Sequence, residues 1–273
     1  MTDSLQLIEE LFPEIQELHH PFSPAYDYYI SYLADLRFQN LKKISCRLFT
    51  NQASSEKLVK GWQQFIENHR RLTHLDIHFE TGNQTLLTPV FKHISHLNQL
   101  ISLQIRSLNR FGKQLANCIE EVADNCLNLN SLSIDIFLDS SDVMPLMIEV
   151  KRFRRLKRLE MYFKYDNNSM TLRELFNDFQ LLTHLSLRLY SRHCIKSQFF
   201  EEIDILLPNL KRLRQNYWPI RAKEETAHTL SRLPRLESLS LSVDNEAIRN
   251  LIVTKVMKNC PKIKSIDIQI EVF

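Results

Sequence analysis

The chain has 273 residues, and its 35 Lys and Arg against 32 Asp and Glu leave a formal net charge of +3. That excess is too small to indicate a protein that coats nucleic acid or a membrane surface. A hydrophobic content of 44% with 25% charged residues is typical of globular chains and excludes disorder as the main state. The chain holds three isolated glycines, so it contains no glycine-rich phosphate loop of the kind used by nucleotide-dependent enzymes.

The first forty residues differ in pattern from the rest of the chain. Leu5–Leu18 is acidic with helical spacing, and Ala25–Leu36 follows Pro24, a residue that suits the first turn of a helix. We expect residues 1–40 to form an N-terminal helical cap with a first half-repeat, or a degenerate remnant, because a stack of repeats must cover its exposed end.

One frame, L-x-x-L-x-L, recurs nine times from residue 41 onward, at separations of 26 to 31 residues. The period-two alternation of its apolar positions predicts a short strand with one buried face. The eighth position, which is Tyr217 in the seventh frame, is apolar or aromatic everywhere except at Ser107, so each strand is expected to direct three side chains inward. The frames begin at Leu41, Leu72, Leu100, Leu129, Leu156, Leu182, Leu210, Leu236 and Ile263.

Segments with helical spacing separate the strands. Thr171 and Glu174 form a capping box at the start of one of them. A strand followed by a helix in every repeat requires parallel strands, because parallel neighbours need a long crossover connection. The predicted helical segments are Ser54–His69, Phe111–Cys126, Thr171–Phe179 and Asn245–Cys260.

Three segments, Asn125–Leu132, Leu207–Leu213 and Asn259–Ile266, close a helix immediately before the next strand. Their pattern, close to N-C-P-x-L-x-x-L, is frequent in the repeat region of F-box/leucine-rich-repeat proteins. Over residues 41–273, which we take as the repeat domain, the chain resembles a leucine-rich-repeat protein of the ribonuclease-inhibitor-like type. The resemblance implies an α/β solenoid, or horseshoe, with parallel strands on the concave side, one for each of the nine frames, and helices on the convex side.

The sequence also bears on the compartment. Its N-terminus lacks the basic stretch and apolar run of a signal peptide, and no run of about 18 apolar residues could span a membrane. The five cysteines are odd in number and scattered, as is typical of reduced thiols inside the cell. We expect a cytoplasmic or nuclear protein that does not act at a membrane.

Motifs for catalysis or metal binding are missing from the sequence. No HExxH, C-x₂-C, GxSxG or P-loop pattern occurs. The pairs His19-His20 and His193-Cys194 have no spaced partner that would complete a metal site. Adjacent glutamates diverge on a helix and so do not face one substrate. We therefore expect no enzyme activity, no cofactor and no metal.

The candidate binding surface is the concave sheet, where alternate positions of each strand face solvent. In the fifth to seventh frames four bases stand against one acid, and their charges are expected to project into solvent. Clustered Arg and Tyr side chains are typical of interface hot spots, although any sheet surface needs soluble side chains. The candidate partner-binding residues are Arg158, Glu160, Tyr162, His184, Arg188, Arg212, Arg214 and Trp218.

Gln215 takes an inward position that is aliphatic in most other frames. A buried amide must find hydrogen-bond partners or cost about 1–3 kcal/mol. The sequence therefore predicts a locally irregular strand before Trp218. The simpler interpretation is that Gln215 is a core glutamine whose hydrogen bonds are satisfied.

Three functions remain open. The first is a non-catalytic protein–protein interaction module, which by resemblance would be the substrate-recognition region of an F-box-type ubiquitin-ligase receptor with a ligase adaptor as partner. That role requires an F-box elsewhere or a degenerate one, and only Leu7–Phe12 weakly resembles its start. The second is a free-standing scaffold or inhibitor. The third is an RNA- or phosphate-binding module using the concave arginines, which the low net charge and the lack of stacking aromatics disfavour for nucleic acid.

Overall fold

The computed structural model describes residues 14–20, 37–48, 55–79, 86–107, 111–164, 171–191 and 195–271. Two segments with sequence-based expectations, Leu7–Phe12 and Ala25–Leu36, lie outside these ranges. The chain forms two compact units, one made of Met1–Phe137 with Pro145–Arg155 and the other of Leu138–Met144 with Leu156–Phe273.

Strands and helices alternate along the first half of the chain, and neighbouring strands β1 to β5 pair in parallel in sequence order. The strands are β1 (Glu17–His20), β2 (Lys43–Leu48), β3 (His74–Phe79), β4 (Ser102–Ser107) and β5 (Ser131–Leu138). The helices are α1 (Ser55–Asn68), α2 (Leu87–Ile94), α3 (Lys113–Asn125) and α4 (Ser140–Val150).

The second unit repeats this alternation with two additional short strands. Its strands are β6 (Arg158–Lys164), β7 (His184–Tyr190), β8 (Ile195–Lys196), β9 (Arg212–Tyr217), β10 (Ile220–Arg221), β11 (Ser238–Val243) and β12 (Ser265–Ile270). Its helices are α5 (Leu172–Phe176), a 3₁₀ helix (Ser197–Phe200), α6 (Ile203–Leu206), α7 (Glu224–Ser231) and α8 (Glu246–Asn259). The long strands pair in parallel in the order β6-β7-β9-β11-β12, and β8, β10 and the end of β11 form a second short ladder.

All nine frames form strands in the described ranges. Their positions alternate as the period-two pattern predicts, except at the ends of β9 and β12, where Tyr217 and Ile270 are exposed instead of buried. In β3, for example, Leu75, Ile77 and Phe79 are buried while the residues between them are partly exposed. Parallel register then stacks equivalent apolar side chains of successive strands into continuous layers. The predicted α/β leucine-rich-repeat architecture of parallel strands connected by helices is confirmed within each unit.

The motif that closes a helix before the next strand connects neighbouring repeats through hydrogen bonds. Cys126 Sγ donates to the carbonyl of Leu97 at 3.4 Å, and Asn128 Nδ2 donates to the carbonyl of Asn98 at 3.1 Å. Burial raises the pKa of the Cys126 thiol to about 12, so the sulfur keeps the proton that it donates. These contacts satisfy carbonyls that follow the end of α2, which have no partner within the helix.

The same motif acts in the second unit. Asn209 Nδ2 donates to the carbonyl of Gln180 at 2.8 Å, and Cys260 Sγ donates to the carbonyl of Ser231 at 3.6 Å. The family resemblance in these segments therefore has a physical basis, because each motif supplies the donor that joins one repeat to the preceding one.

The N-terminal segment differs in part from the prediction. The last two residues of the Leu5–Leu18 stretch, which was expected to be helical, belong to β1, which pairs with β2 and aligns Leu18 with Ile44. The free edge of β2 offers backbone partners that a helix could not use, and this favours a strand there. Further along, Phe38 N donates to His69 Nε2 at 3.2 Å at the end of α1. The boundary between a cap at residues 1–40 and a repeat domain at 41–273 remains a prediction.

Two further properties follow from the described parts of the chain. No helix there is both long and apolar enough to cross a membrane. Cys46, Cys118, Cys126 and Cys260 are free thiols, and all four are buried.

Candidate protein-interaction surface

The eight candidate residues lie in the second unit, on or next to three neighbouring strands. Strand register places Arg158, His184 and Arg212 side by side across β6, β7 and β9, and we call these three residues the basic row. The next solvent-facing row contains Glu160, Ser186 and Arg214, and the third contains Tyr162, Arg188 and Asn216. Trp218 directly follows β9. The structure therefore brings all eight residues into one region of the sheet.

His184 is held in a defined orientation by its own strand. Thr183 Oγ1 donates its single proton to the carbonyl of Lys157 at 3.0 Å and lies 2.8 Å from His184 Nδ1. With the hydroxyl proton on the Lys157 carbonyl, we assign the proton of this contact to His184 Nδ1. Burial lowers the pKa of His184, and the nearby positive charges of Arg158 and Arg212 lower it further.

Arg188 differs from the expectation that its charge projects into solvent. Its side chain keeps only 21% of its exposure, with Nη2 3.7 Å from a carboxylate oxygen of Glu160. Its guanidinium also lies 5.5 Å from the centre of the Tyr162 ring, a cation–π arrangement. Arg188 therefore packs within the surface, and a charge reversal there would place two carboxylates together.

Four aromatic side chains form a cluster at the carboxyl ends of these strands. The rings of Tyr162 and Tyr217 stack at 5.6 Å and 20°, and those of Tyr190 and Trp218 meet edge to face at 5.6 Å and 87°. Tyr190 keeps 40% and Tyr217 keeps 54% of its exposure. We call these four residues the aromatic cluster. Large rings that remain this exposed while ordered by contact with each other are suited to binding another surface.

The backbone at the end of β9 positions two of the four rings of the aromatic cluster, Tyr217 and Trp218. The sequence predicts that Tyr217 fills the third inward position of its strand, and this is wrong. Tyr217 has φ 87, so the chain turns away from the sheet and its ring faces solvent. Ile220 in β10 takes the inward place instead, fully buried and paired with Ile195 and Val243.

Gln215 stabilises this turn. Its side chain is fully buried, its Nε2 donates to the carbonyl of Trp218 at 2.6 Å, and its Oε1 accepts from Ser242 N at 3.2 Å. The predictions of an irregular strand and of a satisfied core glutamine are both confirmed. Tyr190 and the turned-out Tyr217 were missed as candidate surface residues. For Tyr217 the reason is that the β8-β10-β11 ladder, in which Ile220 takes the inward place, is not visible in the frame.

Tyr217 stores backbone strain at this surface. A residue with a Cβ in the left-handed region costs about 1–2 kcal/mol relative to Gly. We expect Tyr217→Gly to be more stable than Tyr217→Ala by about 1 kcal/mol in urea unfolding, since both variants remove the ring and differ in the backbone.

The matched control for this prediction is Tyr162, which lies within the regular strand β6 and stacks on the same ring. There the order should reverse, with Ala at least as stable as Gly. Equal or greater stability of Ala at position 217 would contradict the strained turn.

Metal binding has no support in the described ranges, which contain no group of three His, Cys, Asp or Glu side chains able to hold an ion. The residues His193 and Cys194 lie outside those ranges, as does the side chain of His20.

Proteins similar to this chain are found among solved structures. No protein-family model and no curated protein matches the sequence. Among solved structures, a chain from the yeast Rad7–Elc1 complex is similar, with a TM-score of 0.52, 14% identity, and coverage of 94% of this chain and 70% of that one.

A second similar structure is the leucine-rich-repeat-containing protein LegL7 from Legionella pneumophila. It has a TM-score of 0.47 and 12% identity, with coverage of 92% of this chain and 90% of that one. The nine repeated frames, the parallel ladders and the bonds between repeats lead to one conclusion: the chain has an α/β leucine-rich-repeat fold.

Proposed function

We propose that the chain is a non-catalytic interaction module that binds a protein partner through the solvent face of β6, β7 and β9, the concave face expected from the sequence. The aromatic cluster carries this proposal. It places two partly exposed tyrosines on a rigid sheet, beside Arg188 and close to the basic row. Such a combination of ordered Tyr, Trp and Arg side chains is the usual composition of interface hot spots. The similar yeast chain comes from a complex of two proteins, which agrees with a protein as partner.

The test is quantitative affinity purification from cells with a matched pair of variants. Tyr190→Ala combined with Tyr217→Gly removes the two most exposed rings of the cluster and leaves Gly at the strained position. Leu127→Ala combined with Met257→Ala removes two exposed apolar side chains elsewhere. We expect the first variant to recover specific partners at least about tenfold less than wild type, since loss of one hot-spot residue costs about 2 kcal/mol or more. The second should recover them normally.

Thermal melting of both variants must match wild type within a few degrees, so that lost binding is not lost folding. Full recovery of every partner by the tyrosine variant would show that the binding surface lies elsewhere.

The more specific role that we propose is that of a substrate receptor in an F-box-type ubiquitin ligase, in the cytoplasm or nucleus. It rests on the repeat resemblance and on Leu7–Phe12, which lie outside the described residues. We expect a ligase adaptor to copurify with the chain, and Leu7→Asp with Leu11→Asp to release the adaptor while the concave partner stays bound. Retention of the adaptor by that variant, or its absence from wild type, would contradict this role.

A further inference from the structure

The basic row combines two arginines and a histidine on adjacent strands. Arg158 and Arg212 are exposed and flank the half-buried His184, one strand away on each side. Neighbouring strands lie about 4.8 Å apart, so the two arginines start roughly 10 Å from each other. Arginine side chains are long and flexible, so both guanidinium groups can reach one small group held above His184.

Within the part of the chain that the structure describes, the two outer arginines of the basic row have no acidic partner. In the described ranges neither Arg158 nor Arg212 forms an ion pair, and two acids close to the row already pair with other cations. Glu160 pairs with Arg188, and Glu237 lies 3.6 Å from Lys211 Nζ and 3.1 Å from Lys264 Nζ. Like charges side by side on a sheet repel each other, so the row would gain from an external anion.

His184 adds a third donor that depends on protonation. Since Nδ1–H is committed to Thr183, Nε2 is the nitrogen available to an outside group. The charged groups that act on this imidazole lie on both sides of it. Arg158, Arg212 and Lys211 disfavour its protonation, and Glu237, directly before β11, favours it. An anion placed between the arginines would offset their unfavourable field and so favour the protonated form of His184.

We propose that the basic row binds one phosphate monoester on the partner protein, with Arg158 and Arg212 on either side and protonated His184 donating from Nε2. This inference rests on the proposed function and names the chemistry that the partner presents. A phosphate monoester carries a charge of about −1.5 to −2 and three acceptor oxygens, which matches three cationic donors. A carboxylate has one charge and two oxygens and would leave part of the row unsatisfied.

His74 supplies an internal control for the role of the basic row. Thr73 Oγ1 donates to the carbonyl of Lys42 and contacts His74 Nδ1 at 2.9 Å, which repeats the geometry of His184. Its neighbours in the row differ, because Lys43 is paired with Glu17 and the other side is Ser102. His74 therefore has the same anchor without two unpaired arginines.

The first experiment uses inorganic sulfate, whose charge does not change between pH 5 and 8. Side-chain NMR would follow the titration of both histidines in sodium sulfate and in sodium chloride of equal ionic strength. We expect sulfate to raise the titration midpoint of His184 by about half a pH unit or more, since a bound anion favours the charged imidazole. The midpoint of His74 should move by much less. An absent shift, or an equal shift of the two histidines, would overturn the proposal.

The variant Arg158→Gln with Arg212→Gln tests the role of the flanking charges. In chloride, the titration midpoint of His184 should be higher in this variant than in wild type, because two charges that oppose protonation are gone. Replacing chloride with sulfate should not raise that midpoint further. Lys57→Gln with Lys60→Gln on exposed positions of α1 removes the same charge and should behave as wild type. Retention of the full sulfate shift in the arginine variant would overturn the assignment.

The second experiment distinguishes the sources of the anion. Peptide arrays carrying phosphoserine, unmodified serine or glutamate at one position would be probed with wild type and with the arginine variant, alongside a single-stranded RNA. We expect wild type to favour phosphoserine peptides by at least about tenfold, consistent with two or more charge-assisted contacts. Equal binding of glutamate peptides, or stronger binding of RNA, would overturn the commitment to phosphate on a protein.

The two proposals can fail separately. If the tyrosine variant loses its partners but sulfate leaves His184 unchanged, the surface stands and the phosphate site is wrong. If sulfate shifts His184 but the tyrosine variant keeps every partner, the anion site stands and the proposed protein surface is wrong.

Discussion

Replacing Leu185 by Ala is expected to lower the free energy of unfolding by about 2–5 kcal/mol. Leu185 is buried near the start of β7, and strand register places it between Leu159 and Leu213. Truncation removes apolar contacts to both neighbouring repeats, and the sheet cannot close the resulting cavity without breaking its ladder. Urea denaturation followed by circular dichroism measures the change.

The matched control for this substitution is Leu181→Ala, four residues earlier and half exposed. It should change the free energy of unfolding by less than about 0.5 kcal/mol. Because repeats couple only to their neighbours, the Leu185 variant should also separate melting into more than one phase. A loss below about 1 kcal/mol would mean that Leu185 does not occupy the layer in which it lies.

The second large effect is expected at Gln215. Gln215→Leu keeps most of the volume but leaves the carbonyl of Trp218 and the amide of Ser242 without their partners. Each unsatisfied buried group costs about 1–3 kcal/mol, so the loss should reach about 2–4 kcal/mol after some relaxation of the turn. Urea denaturation again measures it, and Gln269→Leu, on the exposed face of β12, should be close to neutral.

Gln215→Glu tests the same turn by pH. Burial raises the pKa of a carboxyl group above its value in the unfolded chain. The folded variant then binds more protons than the unfolded one, so its stability should fall as pH rises from 5 to 8, while wild type shows no such loss from this site. A Gln215→Glu variant whose stability does not change with pH would contradict the buried position.

Retention of the aromatic cluster can be followed in the same Gln215 variants. The Trp218 ring contacts Tyr190, and its carbonyl is held by Gln215. Loss of that bond should shift the fluorescence of Trp218, whereas Trp62 is buried against Phe65 in the first unit and should report no change.

The strands were predictable from the sequence because their signal is local. A period of two over each frame, with Leu or Ile at the fourth position, makes one face of the strand apolar wherever the chain runs. Helix positions followed for the same reason, and the predicted Ser54–His69 and Asn245–Cys260 agree with α1 and α8 to within one residue at each end. The positions of Arg158, His184 and Arg212 in one row followed from the frame as well.

The end of β9 could not be predicted in this way. The eighth-position rule assigns Tyr217 to the core, but Ile220 can reach the same layer and also pair with Ile195 and Val243. The burial of Ile220 with two ladder partners outweighs the cost of the left-handed conformation at Tyr217. These partners lie more than 20 residues from Ile220 along the chain, so no local pattern contains them. The polar side chain of Gln215 at an inward position was the single local sign that the end of β9 is irregular.

By itself the sequence determined the repeat, its parallel strands and the side chains that share the solvent face, because all three follow from spacing along the chain. Tertiary structure alone decided which charges on that face are neutralised. Arg188 and Arg158 look equivalent in their frames, yet Arg188 packs on Tyr162 and pairs with Glu160, whereas Arg158 has no acidic partner among the described residues. Ion pairs and ring contacts depend on side chains from different strands meeting within a few ångströms, and distances of that kind are set only when the repeats stack.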